Sequence, residues 1–517
     1  MQSDSGRTTS VWMATADVPS YPPLGEDLDV DVCVVGAGIA GLTVAYTLAR
    51  AGKRVVVLDD GPIGGGETGR TTAHITAALD DRYYEIASMH GEEGARLAAE
   101  SHDAAIGRVE EIVREERIDC DFERVDGYLF LHRDGDPAEL DRELEAAHRA
   151  GLGSVERVAR VPVDTYDFGP ALRFPRQAQF HALKYISGLA RAIAHDGGRI
   201  FTGSHVSEIN ADDGGRTSVK TSDGRTVRAG SLVVATNSPI NDWVKMHTKQ
   251  AAYRTYVVGA RVPAGSVPRG LYWDTADPYH YVRLQRGAAP TAAGGEGYDV
   301  LIVGGEDHKT GQGDDSEAER FRCLEEWTRE RFPMATTVDY RWSGQVMEPV
   351  DYMGFIGRNP GDEYVYIATG DSGNGMTHGT IAGTLISDLI LGRENAWEKL
   401  YDPSRISVKA APEFAKENLN VAAQYRDYVT PGEVKSADDV KPGEGAVLRR
   451  GAKKVAVYRD EAGKLHERSA VCPHLYCIVD WNGAEKTWDC PCHGSRFDRY
   501  GKVVNGPAAA DLEAAEG

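Results

Sequence analysis

The sequence predicts an α/β domain interleaved with an antiparallel-sheet domain, followed by a small all-β domain. Three observations predict it: a complete strand, glycine turn, helix and strand at 29–59; alternating apolar and polar runs at 127–132 and over 251–345; and short β-rich runs from about 429 leading into two loops of Cys and His. At roughly 100–200 residues per domain, 517 residues allow three or four domains with large cores. Hydrophobic residues make up 41% and charged residues 26%, which excludes a disordered chain and a coiled coil. With 58 Lys+Arg against 79 Asp+Glu, the net charge of −21 would repel nucleic acid and anionic lipid. No run approaches the roughly 18 apolar residues of a membrane span, and the first residues show no signal pattern, so the chain reads as cytoplasmic.

The first unit runs Asp-Val-Asp-Val-Cys-Val-Val into Gly36-Ala37-Gly38-Ile39-Ala40-Gly41, and Leu42 to Arg50 continue in a helix pattern. A second apolar run ends in Asp59, eighteen residues after Gly41. This is a dinucleotide-binding unit. Gly36 makes the tight turn, Gly38 lets the backbone approach a pyrophosphate, Gly41 permits close helix packing, and the helix N-terminus faces the negative charge. Asp59 accepts ribose hydroxyls; Asp60 stands beside it, and strand alternation favours Asp59. The acid argues against a 2′-phosphate and leaves NAD or FAD. Cys33 reads as a packed strand residue.

Three later segments select FAD. Residues 64–74 form a glycine- and hydroxyl-rich loop with Arg70, Thr71, Thr72 and His74, suited to a ribityl chain. Ser231 to Asn237, with Ala235 and Thr236, is similar to the small-residue strand end of two-dinucleotide-binding flavoproteins. Gly370, Gly373, Asn374, Gly375, Met376 and Thr377 open a further helix. Over roughly residues 25–400 the chain resembles the FAD-dependent amine and amino-acid oxidoreductases, the D-amino-acid oxidase, glycine oxidase and sarcosine oxidase group. The resemblance implies a Rossmann-like FAD-binding domain interleaved with a substrate domain. It adds Val206 to the cofactor contacts and aims the amides after Gly370 at the flavin N1/C2 edge. His74 falls where dimethylglycine and sarcosine dehydrogenases attach FAD covalently; covalent attachment, flavin contact and plain packing are all open to it.

The resulting division is 25–85, 170–245 and 345–400 for FAD, 86–169 and 246–344 for substrate, 401–427 as a helix-poor linker and 428–517 as the terminal domain. Residues 85–160 are mainly helical in pattern, 251–345 read as strands, and 287–297 as a hairpin loop.

Of seven cysteines, Cys472, Cys477, Cys490 and Cys492 fall within twenty-one residues. They stand in Cys472-Pro-His474-Leu-Tyr-Cys477 and Cys490-Pro-Cys492-His493-Gly-Ser495. Two Cys and two His could hold zinc, but each loop here offers one thiolate and one imidazole, the arrangement of a [2Fe–2S] cluster with two histidines on one iron. These residues closely resemble the disulfide-bearing Rieske iron–sulfur domain over about the last hundred residues. The resemblance implies Cys472 and Cys490 on one iron, His474 and His493 on the other, and a Cys477–Cys492 disulfide, unusual in a cytoplasmic protein. Tyr476 replaces a usual glycine and would cover the cluster face, and Ser495 matches the residue whose hydroxyl supports a bridging sulfide in that family. Phe497 replaces a Tyr that donates to a cysteine sulfur, so the potential is expected below that of the respiratory type.

Relatives that oxidise free amino acids usually carry an arginine in Trp-x-Gly-x-Arg-Pro; the stretch Trp342 to Val350 has none, which disfavours an α-amino acid unless Arg254 or Arg283 substitutes. Glu348 and Asp351 could face a cationic amine, and Tyr253, Tyr256, Tyr281 and Tyr352 are candidate cavity walls. Amine oxidation by a flavin requires no strong base, so the sequence singles out no catalytic residue. The resemblances imply an FAD-dependent, dehydrogenase-like oxidoreductase that passes electrons from an amine-type substrate through flavin and cluster to an external one-electron carrier. Reverse flow toward the flavin, or an electron-transfer or redox-sensing protein with the disulfide as sensor, are the alternatives.

Overall fold

The computed structural model describes residues 5–212, 216–241, 246–287, 297–313 and 316–515. The predicted hairpin loop at 287–297 falls largely outside them.

The first sheet has the order Phe355–Arg358, Val365–Thr369, Thr226–Val234, Leu28–Val35, Val55–Leu58 and Arg199–Phe201. From Val365–Thr369 onward it is parallel. Such strands are buried on both faces and read as continuous apolar runs. In Leu28–Val35, Val32 and Val34 pack under the helices Ile39–Arg50, Ala182–His195 and Gly375–Ile390, while Cys33 and Val35 enter the core on the opposite face. Cys33 is fully packed, and burial pushes its thiol up to about 12.

The second sheet runs Thr337–Pro349, Gln250–Pro263, Tyr298–Lys309, Tyr281–Arg286, Leu271–Asp274, Glu123–Phe130, Ala171–Gln179 and His74–Ile75, antiparallel except where Leu271–Asp274 meets Glu123–Phe130. It takes Ala171–Gln179 and His74–Ile75 out of segments assigned from sequence to the FAD domain, because both are hydrogen-bonded to this sheet. Thr337–Pro349 likewise runs unbroken across the boundary set at 345.

Two helices depart from the sequence reading. Glu317–Arg331 lies in a region read as strands; Ser316 caps it, acids fill its first turn and arginines its last, while only Phe321, Leu324 and Thr328 are buried. So thin an apolar stripe is masked by charge. Ala411–Gln424, with Pro412 in its first turn, occupies the linker expected to be helix-poor, and only Glu417 on it is buried.

The last segment forms two antiparallel sheets, Gly445–Arg450, Lys453–Arg459 and Leu465–Ser469, then Asp480–Asn482, Thr487–Asp489, Arg496–Asp498 and Val503–Asn505. Trp488 and Phe497 are fully buried in its core. Among the described residues no helix is long and apolar enough to cross a membrane.

Candidate functional site

At the end of Leu28–Val35 the chain turns through Gly36 at φ 108°, where a Cβ would lie 2.3 Å from Ala235 O. A Cβ on Gly41 would lie 1.9 Å from Gly36 O, so the helix can approach the turn only with glycine there. Asp59 accepts from the Ala37 amide at 2.6 Å and the Gly61 amide at 2.8 Å, which fixes the turn around the N-terminus of Ile39–Arg50. These residues open a long groove between the two sheets. Gly36, Gly38, Ile39, Ala40, Asp59, Asp60, Arg70, Thr71, Thr72, His74, Val206, Ala235, Thr236, Gly373, Gly375 and Met376 line it. Ala37, Gly41, Gly370, Asn374 and Thr377 do not reach its surface and shape the wall from behind. Ala37 O accepts from Gly64, a Cβ on Gly370 would strike Pro349 at 2.8 Å, and the Asn374 amide returns to Ser372 O at 2.9 Å. Arg70 borders the groove, but its guanidinium is turned away toward Glu485.

Beyond His74 the groove ends among Trp273, Tyr279 and Tyr281 and the carboxyls of Asp80, Asp307, Glu348 and Asp371. Tyr279 donates to Asp80 at 2.6 Å, Tyr281 and Thr255 share a 2.6 Å hydrogen bond, and Ser372 Oγ lies 2.8 Å from both Glu348 and Asp81. One hydroxyl hydrogen cannot serve two carboxylates, so one acid of that pair carries a proton. Burial pushes Asp80 and Asp371 up to about 6 and Asp81 and Asp307 up to about 7. Burial and the neighbouring Asp81 push Glu348 well above the usual range. His74 is driven down to about 3 by burial and Arg283, so its ring is neutral; it lines the groove with Nδ1 3.0 Å from Thr72 Oγ1.

The other predicted contacts face elsewhere. On Gln250–Pro263, Thr255 and Val257 line the groove, so Arg254 and Tyr256 point the opposite way; Tyr256 stacks on His308. Arg283 is enclosed by the carbonyls of Ala73 and Phe180 at 2.8 and 3.0 Å, and Asp351 by Arg405 at 2.8 Å. Tyr253 lies by Lys309 and Tyr352 is half-buried, neither on the groove. Sequence reasoning missed Asp80, Asp307, Trp273 and Tyr279. Only Tyr279 carried a signal, since it shares a strand period with Tyr281.

In the two C-terminal loops, Cys472 and Cys490 are buried thiols in hydrogen-bond contact, and Cys477 and Cys492 are joined by a disulfide. The His474 and His493 rings stand 5.2 Å apart at 89°, and His493 Nδ1 is buried without a hydrogen-bond partner. Two thiols on one side and two imidazoles on the other, one with an orphaned nitrogen, fit a [2Fe–2S] cluster. The Cys477, Cys490 and Cys492 sulfurs also lie within 4.8 Å of one another, but the disulfide consumes two of them. Ser495 hydrogen-bonds Cys472. Tyr476 takes φ 61°, the backbone conformation that suits glycine, and is 60% exposed. The imidazoles pack against His247 of the preceding domain, whose ring is 4.8 Å from His474 and 6.0 Å from His493.

The loops are joined to the groove through buried polar contacts. Gln345, on the groove wall, donates to Gly494 O at 3.0 Å. Arg70 pairs with Glu485 at 3.0 Å, Arg254 lies 3.8 Å from Asp489, and Arg496 lies 3.1 Å from Asp489 and donates to Ser5 O at 2.7 Å. Burial works against the Glu485 anion, yet Arg70, Arg254 and Arg496 hold its carboxyl down to about 2.

A flavin groove and a Rieske-type loop pair on one chain define an iron–sulfur flavoprotein. Residues 31–389 match the FAD dependent oxidoreductase family and 430–516 the Rieske [2Fe-2S] domain. The chain belongs to the FAD dependent oxidoreductase family, with a Rieske domain at its C-terminal end; its cofactors are FAD and a Rieske-type [2Fe–2S] cluster. It is 32% identical over 510 residues to the Rieske 2Fe-2S iron-sulfur protein YhfW of Bacillus subtilis, covering 97% of this chain and 96% of that one. It is 28% identical to the gamma-glutamylputrescine oxidoreductase of Escherichia coli, over 74% of this chain and 89% of that protein. Glycine oxidase from Geobacillus kaustophilus shares the fold, with a TM-score of 0.61 and 19% identity over 73% of this chain and 99% of that one.

Proposed function

We propose that the protein oxidises the C–N bond of a cationic amine and passes the electrons through the Rieske cluster to an external one-electron carrier. The observation that carries this reading is the end of the groove: four carboxyls and three aromatic residues converge there, and neither Arg254 nor Arg283 faces it. A carboxylate substrate would meet like charge; an ammonium group meets acids that burial holds near neutrality and that ionise beside it. Tyr279, Tyr281 and Trp273 supply π faces for the same cation. The similarity to gamma-glutamylputrescine oxidoreductase agrees with an amine substrate.

When bound, FAD would supply two-electron chemistry at a C–N bond and a Rieske cluster one-electron chemistry. The chain's part is to hold these groups. Gly36 to Gly41, Asp59, Asp60, Val206, Ala235 and Thr236 would hold the dinucleotide half of FAD, the Thr71–His74 and Gly373–Met376 segments would hold the flavin half, Cys472 and Cys490 would hold one iron, and His474 and His493 the other.

Exchanging Asp307, which burial pushes up to about 7, for Asn removes one anion at higher pH without changing shape. A charge-assisted hydrogen bond contributes about 1.5–3 kcal/mol, so Asp307→Asn is expected to weaken binding of a competing primary ammonium ion at pH 8 by roughly 10- to 150-fold. The check is an absorbance titration of the oxidised flavin from pH 5 to 8. Wild-type affinity for a primary ammonium probe that is not turned over rises as the acids titrate between about 6 and 7, and the variant's rises less. Equal affinity in both proteins, with turnover of carboxylates lacking an amine, would end the amine reading.

A further inference from the structure

We propose that the Rieske domain completes the FAD site: Val503 to Ala509 cap the dinucleotide end of the groove, so that the adenosine half of the cofactor is clasped between two domains. The assignment of the groove to FAD underlies this inference, and the two are separable by experiment.

Val504, Asn505, Gly506, Ala508 and Ala509 line the same groove as Asp59, Asp60 and Val206. The segment is pinned across the opening at three points. His205 bridges it, with Nδ1 3.2 Å from Asp60 Oδ2 and Nε2 3.1 Å from Ala509 O. Asn505 donates to Glu67 at 3.0 Å. A Cβ on Gly506 would lie 3.1 Å from Ile240 and 3.4 Å from Ser238 O, so the two backbones are closely apposed. Small and apolar residues on this side, opposite the polar Asp59, Asp60 and His205, form a slot with one face for a flat base and one edge for ribose hydroxyls.

The cap is held from behind by the cluster loops. Ser495, two residues after His493, accepts from the Ala508 amide at 3.0 Å, and Asp511 accepts from Val503 at 2.9 Å. Glu67, which receives Asn505, also accepts from the Gln345 amide at 2.6 Å, and the Gln345 side chain reaches Gly494. A displaced Rieske domain would therefore open the cofactor groove, and an ordered one closes it.

The test uses full-length protein purified from riboflavin-starved cells and loaded with FAD, or with ADP as a probe of the adenosine half alone. Both ligands are expected to slow hydrogen exchange at least about tenfold in 36–41 and also in 503–509. Asn505→Ala loses one hydrogen bond to Glu67, and its FAD dissociation constant is expected to rise about tenfold by flavin fluorescence, with the dithionite-reduced Rieske EPR signal unchanged. Protection at 36–41 with none at 503–509, or unaltered FAD affinity in Asn505→Ala, overturns the cap. Absence of protection at 36–41 overturns the groove assignment and the cap with it.

Discussion

Replacing Glu485 by alanine is expected to lower stability by about 3–5 kcal/mol and to release the Rieske domain from the flavin-binding body. Glu485 is fully enclosed, and Arg70, Ser343 and the Thr8 amide and hydroxyl all turn to it. Removing one partner of a buried pair costs more than the pair is worth, because Arg70 stays buried with its charge uncompensated. The pH dependence gives the same scale. The carboxyl moves from 4.5 in the unfolded chain to about 2 in the folded protein, and one unit corresponds to about 1.4 kcal/mol, hence about 3 kcal/mol. Because the folded value is depressed, this stability is fully present above about 4.5 and is lost as pH falls toward 2. Denaturant unfolding at pH 7 and pH 3 checks it: the wild type loses stability between the two, and the variant loses less. Wild-type stability in Glu485→Ala at pH 7 would mean that the network does not hold the domains together.

Replacing Cys490 by serine is expected to abolish the cluster and to reduce turnover with a one-electron acceptor by more than about 100-fold, with FAD retained. Cys490 lies in contact with Cys472 and has no second thiol to substitute for it, since Cys477 and Cys492 are joined to each other. The groove proposed for FAD is lined by residues outside Cys472–Cys477 and Cys490–Ser495, so the variant is expected to keep flavin absorbance and still to be bleached by substrate. EPR of the dithionite-reduced protein together with stopped-flow bleaching separates the two functions. Full turnover with the external acceptor in the variant would place the cluster off the electron route.

Both centres were legible where their chemistry is local in sequence. Gly36 to Gly41 with Asp59 is one continuous unit, and its glycines are required by contacts of a few ångström within it. The thiols and imidazoles of the cluster loops are likewise contiguous, and even the departure at Tyr476 is a local backbone event. The end of the groove was not legible, because Asp80, Trp273, Asp307 and Glu348 come from four segments that meet only when the second sheet forms. Strand alternation separates Thr255 from Tyr256 but cannot say which face is the cavity, so Tyr256, a candidate cavity wall, lies on the other face. The interdomain network escaped for a different reason. Arg70, Glu485 and Arg496 are the residue types that ordinarily face water, and their burial is decided by the docking of the C-terminal domain. The linker helix Ala411–Gln424 was missed because it buries almost nothing, leaving no apolar stripe to read.

The most direct measurement of the central claim is anaerobic mixing of the purified holoprotein with a panel of secondary amines, diamines, N-methylated amino acids and free amino acids, freezing at intervals for EPR. The account predicts that a cationic amine bleaches the flavin, that the reduced Rieske signal follows, and that free α-amino acids do neither. If dithionite raises the Rieske signal but no amine does, electrons do not enter this protein from a C–N bond.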